Sequence, residues 1–451
     1  MRVAVVIERV EDLEDLSTRF PDALLELRVD QDLLLLERAE DFAHRCILTL
    51  RSKREGGGFS GKRFPLLRQM IAKHPLFVDL ELVTDSELLQ DVDPNSVILS
   101  MHDYSTSMEV AARNYLDKLK ELGVIKSGVL HKFVGKSIDT IDALRAYQIL
   151  STSLEKYTVL SIKRNGDLLR LLPEQYSQVI VYGSTTPGFL VPIESVLNPP
   201  TFRTGLLGKN LSHSLSPLIH RIFWEQHNLN GYYFLLEASD EKRARELISQ
   251  LKGFKGINVT YPYKALAAKM CDYKDEVVLE TGSCNTIVFN DKLIGYNTDV
   301  FGIRKSLEEL DITGGSVMVY GSGDSARSVL SVLSSSFDVT VVYRSSKRLG
   351  NLKGVHVLHM DSVSSTKGYN LFVNATPLGL RGELPPIKIE TGTKVFDLVY
   401  SEDDTPLVRK YGGIDGKLML FYQAVAAFER FSGLEVKISD AYELYRRRLN
   451  E

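Results

Sequence analysis

Short apolar runs rich in β-branched residues recur between residues 1 and 198, separated by stretches long enough for a helical turn or more. Eight stand out: Val3–Ile7, Leu24–Val29, Cys46–Leu50, Phe77–Leu82, Val97–Met101, Val129–Val134, Thr158–Ile162 and Val179–Tyr182. Such runs read as strands, and strands alternating with helices read as a parallel α/β fold. Eight repeats predict a closed (β/α)8 barrel, trimmed below the roughly 250 residues typical of that architecture. The rhythm breaks at Asn198-Pro199-Pro200. This triplet cannot continue a helix and favours extended chain, which places a linker at 195–203 and a first domain at 1–198.

The pattern restarts with Gly205–Gly208, an apolar run that ends in a loop carrying Ser212, Ser214 and Ser216. Pro217 then opens an amphipathic helix, a position that suits proline. Strands are predicted at Gly231–Leu236 and into Asn258-Val259-Thr260, after which Pro262 is expected to open a helix with Lys264 in its first turn. Ser316–Leu333 reads as strand, glycine turn and helix. Gly321, Gly323 and Ala326 fit G-x-G-x-x-G/A, and the flanking apolar strand and helix are the context that pattern needs. Further strands are expected at Asp338–Tyr343, at Asn370–Leu380 with Asn374, Ala375 and Thr376 at its tip, and from Val395 to Tyr400. The second half is therefore predicted as α/β, with a Rossmann-type unit around the glycine turn.

Composition narrows the classes. With 451 residues, a net charge of −3, 44% apolar and 25% charged residues, the chain reads as a soluble globular protein of two to three domains. There is no basic excess for nucleic acid, and no run nears the ~20 apolar residues of a membrane span. The N-terminus turns acidic too early for a secretory signal. Cys46, Cys271 and Cys284 have no metal-like spacing, so no metal site and a reducing, cytoplasmic setting are expected.

Chemistry in such a barrel lies at the C-terminal ends of the strands, and those positions here are polar. Glu26 and Arg28 alternate, so they point the same way. Arg51 and Glu55 precede the turn Gly56-Gly57-Gly58, His102 closes the fifth run, and Arg170 follows the seventh. Ion pairs and caps would account for each of these alone. Lys132 lies inside the sixth run. Facing inward, a lysine is costly to keep charged, and a neutral lysine attacks carbonyls; facing outward, it is an ordinary surface residue. In the second half, Lys264 opposes the dipole of its own helix, which suggests a functional demand, and with Asp299 it makes an acid–base pair suited to interconverting a hydroxyl and a ketone. Ser214 and Ser216 beside a helix N-terminus suit a polyhydroxylated anion. After the strand that follows the glycine turn, an NAD site would place an acidic residue; Arg344-Ser345-Ser346-Lys347-Arg348 favours a 2′-phosphate instead, hence NADP.

In order along the first half, ELRVD (26–30), TLRSKREGG (49–57), ILSMHDY (98–104), HKFVGKSIDTIDALR (131–145) and GDLLRLL (166–172) resemble type I 3-dehydroquinate dehydratase. The resemblance implies that Lys132 forms a Schiff base with the substrate ketone. It implies that His102 moves the α-proton and helps expel the hydroxyl, and that Glu55 assists or orients it. Arg170 would hold the carboxylate, and Glu26, Arg28 and Arg51 the ring hydroxyls. Lys126 and Lys136 are close by, but the pattern Lys-x6-Asp-x2-Asp places Lys132 best. The family's closing loop is clipped here to YGSTTPGFL, with Ser184 or Thr185 standing in for its serine and Phe189 where its glutamine would fall.

SHSLSP, NVTYPYK, CNTI, NTD, GSGDSAR, NATPLG and DLVYSEDDTPL, followed by the helix that carries Gln423, are similar to shikimate dehydrogenase across 203–451. That similarity implies two lobes, a substrate lobe of 203–305 completed by 425–451 and a Rossmann-type NADP lobe of 306–424, with Lys264 and Asp299 as the catalytic pair and Ser214, Ser216, Thr260, Asn285, Tyr400 and Gln423 around the substrate. It implies an NADP site lined by Gly321, Gly323, Ala326, Arg344, Ser345, Arg348, Asn374, Thr376, Gly416 and Met419. Asp324 departs from the family, because it sets a carboxylate in the glycine turn. The combined expectation is a bifunctional enzyme acting on 3-dehydroquinate, 3-dehydroshikimate and shikimate, with no nucleic-acid or membrane partner, as a monomer or homodimer. Two other readings stand beside it: a dehydrogenase carrying an inactive scaffold barrel, and a non-catalytic NADP-binding sensor.

Overall fold

The computed structural model describes residues 1–124, 128–185, 191–333, 337–345, 354–401 and 403–449. Its contacts divide the chain into two units, Met1–Thr201 with Phe234–Leu247, and Phe202–Tyr233 with Ile248–Glu451.

The first unit holds eight strands: β1 (Arg2–Ile7), β2 (Leu24–Arg28), β3 (Cys46–Thr49), β4 (Phe77–Glu81), β5 (Val97–Asp103), β6 (Leu130–Gly135), β7 (Tyr157–Ser161) and β8 (Ile180–Gly183). Each lies within two residues of a run predicted from the apolar pattern. They pair in the order β7-β6-β5-β4-β3-β2-β1-β8, all parallel where register is defined. The ladder does not continue from β7 to β8, so the barrel is nearly closed. Side chains bridge this seam. The Thr158 hydroxyl donates to the Ile180 carbonyl at 2.8 Å, and the Gln178 amide exchanges hydrogen bonds with both backbone groups of Val159.

Residues two apart on a strand share a face, so the inward positions can be followed along each strand. They begin apolar and turn polar: Leu24 then Glu26, Ile47 then Thr49, Ile98 then Ser100, Leu130 then Lys132. The apolar members pack together with Ala4, Val6 and Ile180 as a floor. The polar members are buried above that floor, at the strand ends where this architecture builds its sites. Phe234–Leu247 joins this unit at Asp139, which caps the helix Thr140–Ser151 and accepts from the Ser239 amide at 3.0 Å and from Arg243 at 2.8 Å.

The second half contains two sheets. Strands β9 (Phe202–Gly208), β10 (Gly231–Glu237), β11 (Gly256–Val259), β12 (Tyr273–Lys274), β13 (Thr286–Phe289) and β14 (Leu293–Tyr296) form a mixed sheet in the order β10-β9-β11-β13-β14-β12. Strands β15 (Gly315–Tyr320), β16 (Phe337–Tyr343), β17 (His356–His359), β18 (Leu371–Asn374) and β19 (Lys394–Asp397) form a wholly parallel sheet in the order β17-β16-β15-β18-β19. Val317 and Val319 face one apolar cluster, and Met318 and Tyr320 face another. Both faces of this sheet are therefore covered, as parallel sheets require. The strand order reverses between β15 and β18, and the crevice beyond the strand ends at such a reversal is the usual ligand position.

Two expectations change in detail. The helix predicted to open at Pro262 begins instead at Lys264, because residues 260–263 form a turn closed by the Tyr263 amide on the Thr260 carbonyl at 2.9 Å. The last predicted strand stops at Asp397 rather than Tyr400, where the Asp397 carboxylate turns to accept from Val399, Asn374 and Thr405.

Candidate functional site

In the barrel, Lys132 does face inward. Its ammonium donates to Glu26 at 3.0 Å and to Asp79 at 3.3 Å, and lies 3.9 Å from the centre of the Tyr182 ring. Arg51 donates to Asp79 at 2.8 Å, to Ser100 at 2.7 Å and to Glu55 at 3.2 Å. All of these side chains are buried, a state charges tolerate only when paired and hydrogen-bonded. His102 sits at the rim of this cluster, its Nδ1 3.0 Å from Glu55, whose same oxygen also accepts from the His102 amide.

Burial holds the His102 imidazole well below its ordinary range, helped by the positive charges of Arg51, Lys132 and Arg28, so it is a neutral base at physiological pH. Glu55 moves the other way. Burial, with the negative charges of Glu81 and Asp79, pushes it up to about 8 against the pull of Arg51. Folding therefore takes up a proton at Glu55 between about pH 4.5 and 8, and the stability this contributes is full at the acid end and lost as pH rises through 8. Glu55→Gln is expected to flatten that part of the pH–stability curve. Urea midpoints of the two proteins at pH 5 and pH 8 test it, and parallel falls in both would refute it.

Arg28 points toward the same end but forks onto Asp30, two bonds of 2.9 Å each. Arg170 lies in the helix Asp167–Leu171 and donates to the backbone carbonyls of Tyr182 at 2.7 Å and Ser161 at 3.3 Å, spanning the ends of β8 and β7. Ser184 is buried and pairs with the Pro192 strand bridge, while Thr185 is exposed. Phe189 falls outside the described residues, as does Lys126.

In the second half, Lys264 and Asp299 meet at 2.6 Å, each at the first position of its helix. The negative end of this pair suits its helix dipole and the positive end does not. Asn285 donates to the other Asp299 oxygen at 2.7 Å and approaches the Gln423 carbonyl at 3.4 Å. Gln423 also donates to Leu420 of its own helix. Ser214 receives the Ser216 amide at 3.2 Å and lies near Tyr400, and Ser216 lies near Tyr233, whose hydroxyl donates to Asn258 at 2.8 Å. Thr260 follows β11, its methyl packed so closely on Gly208 that a Cβ there would sit 2.5 Å away. Two constellations result: Lys264, Asp299, Asn285 and Gln423 in one, Ser214, Ser216 and Tyr400 in the other.

The glycine turn follows β15. Gly321 has φ +127°, and a Cβ on it would lie 2.6 Å from the Ala375 carbonyl and 3.1 Å from the Thr376 methyl. The turn thus closes on the tip of β18, where Asn374 accepts from the Thr376 hydroxyl at 2.7 Å. Gly323 precedes the helix Asp324–Leu333, on which Ala326 is buried. Arg344 and Ser345 are exposed after β16; Arg348 lies outside the described residues. Gly416 starts the helix Gly416–Ser432, a Cβ there being only 2.4 Å from the Leu398 carbonyl, and Met419 follows one turn on, against Gly302.

Comparison with known sequences bears on both halves of the chain. A shikimate dehydrogenase (NADP(+)) of Ignicoccus hospitalis is 32% identical over 53% of this chain and 96% of its own length. The chain belongs to the shikimate dehydrogenase family. Its residues 206–287 match the shikimate dehydrogenase substrate binding domain, and residues 2–192 match type I 3-dehydroquinase. A second shikimate dehydrogenase (NADP(+)), from Carboxydothermus hydrogenoformans, is 34% identical over 53% of this chain and 94% of its own. A solved dehydroquinate dehydratase and shikimate dehydrogenase from S. pombe covers 99% of this chain and 98% of its own, at 19% identity and TM-score 0.44. This chain thus joins a type I 3-dehydroquinase half to a shikimate dehydrogenase half and is a bifunctional shikimate-pathway enzyme.

Sequence reasoning missed the residues that tie the barrel site together: Asp79, Glu81, Ser100 and Tyr182. Asp79 and Glu81 alternate on β4 just as Glu26 and Arg28 do on β2, so the same two-residue spacing of charges within an apolar run could have found them.

Proposed function

We propose that Lys132, His102 and Glu55 dehydrate 3-dehydroquinate and that Lys264 and Asp299 then serve the reduction of 3-dehydroshikimate to shikimate. The observation that supports this most is the buried ammonium of Lys132, within bonding distance of two carboxylates and beside a neutral histidine. The Lys132 proton passes to Glu26, its acceptor at 3.0 Å, and the amine attacks the ketone. The carbinolamine loses water, taking back that proton, and leaves an iminium. The iminium acidifies the neighbouring C–H; His102 removes that proton and returns it to the departing hydroxyl. Water then hydrolyses the product imine and frees Lys132. Arg51, Glu26 and Arg28 hold ring hydroxyls, Arg170 the carboxylate, and Ser184 or Thr185 closes the site.

In the second half, Ser214, Ser216, Thr260, Asn285, Tyr400 and Gln423 hold the ring and carboxylate. Lys264 gives the proton to the carbonyl oxygen, and Asp299 holds Lys264 in position. NADPH supplies the hydride when bound. The chain fits this cofactor: Gly321 leaves room that a side chain would fill, Gly323 and Ala326 let the backbone approach, and Arg344, Ser345 and Arg348 supply a 2′-phosphate grip. Asn374, Thr376, Gly416 and Met419 would line the same cofactor site. The separate sheets support a substrate lobe of 203–305 with 425–451 and a cofactor lobe of 306–424. No helix among the described residues is long and apolar enough to cross a membrane, and buried free thiols fit a reducing cytoplasm.

Asp324 works against the cofactor, since its carboxylate occupies the first turn where a pyrophosphate would use the helix dipole. Asp324→Ala is expected to tighten NADP binding about two- to fivefold, the effect of one such helix-end charge. Calorimetric titration checks this, and an unchanged or weaker affinity would show that the carboxylate points away. The function itself is tested by mixing the protein with 3-dehydroquinate and NADPH and following loss of NADPH, beside a parallel sample given 3-dehydroshikimate. Oxidation with both substrates supports both halves. Oxidation with the second alone leaves the barrel inactive, and oxidation with neither overturns the proposal.

A further inference from the structure

We infer that the hydroxyl of Tyr182 donates a hydrogen bond to the oxygen of the carbonyl that Lys132 attacks, which makes Tyr182 a catalytic residue of the barrel reaction. This rests on Lys132 being the nucleophile.

Tyr182 is on β8, with only 3% of its surface exposed, and it belongs to the apolar cluster that floors the barrel. Its ring centre lies 3.9 Å from the Lys132 ammonium. Its hydroxyl is fully buried and has no hydrogen-bond partner among the described residues. The other buried polar groups around Lys132 are all engaged: Glu26 with Lys132 and Thr49, Asp79 with Lys132, Arg51 and Ser100. A phenol brought this deep without an acceptor is unfavourable unless the working state supplies one, because a buried donor that loses its water bonds recovers nothing. An apolar phenylalanine would fill the same space and offer the same face to the ammonium.

Geometry identifies the missing acceptor. The hydroxyl is at the edge of the ring whose centre is beside Nζ, so a carbonyl carbon bonded to Nζ carries its oxygen into the hydroxyl's neighbourhood. When the Lys132 nitrogen lone pair forms the C–N bond, the carbonyl π pair moves onto oxygen. That oxygen then takes a proton from the attacking nitrogen and becomes the carbinolamine hydroxyl. Tyr182 keeps its own proton throughout and stabilises the charge that develops on oxygen, a preorganised donor in a buried site. Burial, with the negative charges of Glu26 and Asp79 nearby, pushes the phenol well above its ordinary range, which keeps it a donor.

Tyr182→Phe removes this donor and nothing else. Imine formation, followed as the rate at which borohydride traps 3-dehydroquinate on Lys132, is expected to slow about tenfold, as is dehydratase kcat/KM, the effect of one hydrogen bond made in the transition state. The final yield of adduct, the reduction of 3-dehydroshikimate and the thermal midpoint are expected to hold or, for the midpoint, to rise. A trapping rate equal to that of the natural protein overturns the proposal. A marked fall in the midpoint overturns it too, since the hydroxyl would then have a structural partner. If the natural protein forms no adduct on Lys132, the nucleophile assignment fails, and the role of Tyr182 with it.

Discussion

Lys132→Ala is expected to abolish the dehydration of 3-dehydroquinate, with kcat falling on the order of 10^4-fold or more, and to abolish the borohydride adduct. The size follows from what the side chain does. Without a covalent imine there is no electron sink beside the C–H bond, and the neutral His102 is too weak a base to take the proton of an unactivated ketone. Among the described residues, the groups that contact its ammonium are Glu26, Asp79 and the Tyr182 ring, none of them an amine that could replace it. The substitution also leaves Glu26 and Asp79 buried with one counter-charge fewer, so some loss of barrel stability is expected. Turnover of 3-dehydroshikimate with NADPH by the same sample separates the two effects, because the other half does not use this lysine. Intact mass after borohydride, with 3-dehydroquinate present, is the deciding measurement. An adduct of unchanged yield on the variant would move the nucleophile to another lysine.

Lys264→Ala is expected to lower kcat for 3-dehydroshikimate reduction by about 10^2- to 10^4-fold, the range of a positioned general acid. KM is expected to change far less, since the proposed function has the ring and carboxylate held by Ser214, Ser216, Thr260, Tyr400 and Gln423. Lys264 donates to Asp299 at 2.6 Å, so in this pair the lysine is the hydrogen-bond donor and the carboxylate fixes its direction. Asp299→Asn therefore tests the division of labour. It keeps a group of the same shape and the contact to Asn285, removes the charge, and is expected to cost less than the loss of the lysine. Steady-state kinetics of both variants in the two reaction directions checks this. A large loss for Asp299→Asn with a small one for Lys264→Ala would reverse the roles.

Much of this was legible in the chain. The eight barrel strands were readable because each alternates with a helix, and buried parallel strands leave apolar runs too short to be mistaken for helices. Lys264 and Asp299 could be named as an acid–base pair from their residue types, but Ser214 and Tyr400 only as motif members; no local pattern brings together residues 35 or 186 positions apart. What stayed hidden had a physical reason. Asp79 and Ser100 look like ordinary polar interruptions of a strand until neighbouring strands turn them into one cluster. Tyr182 looks like an aromatic core residue, because a sequence cannot say that a hydroxyl lacks a partner. The seam between β7 and β8 is of the same kind, since a missing ladder replaced by Thr158 and Gln178 leaves no trace in periodicity.

Carrying both halves on one polypeptide fixes their ratio at synthesis. Every copy made adds one dehydratase and one dehydrogenase, and neither transcription nor turnover of the protein can alter that proportion. If 3-dehydroshikimate were to accumulate, the imbalance could be corrected only through the turnover numbers themselves or through the supply of reduced nucleotide. Asp324 and Tyr182, one in each half, are then places where small changes in sequence would retune the two steps against each other.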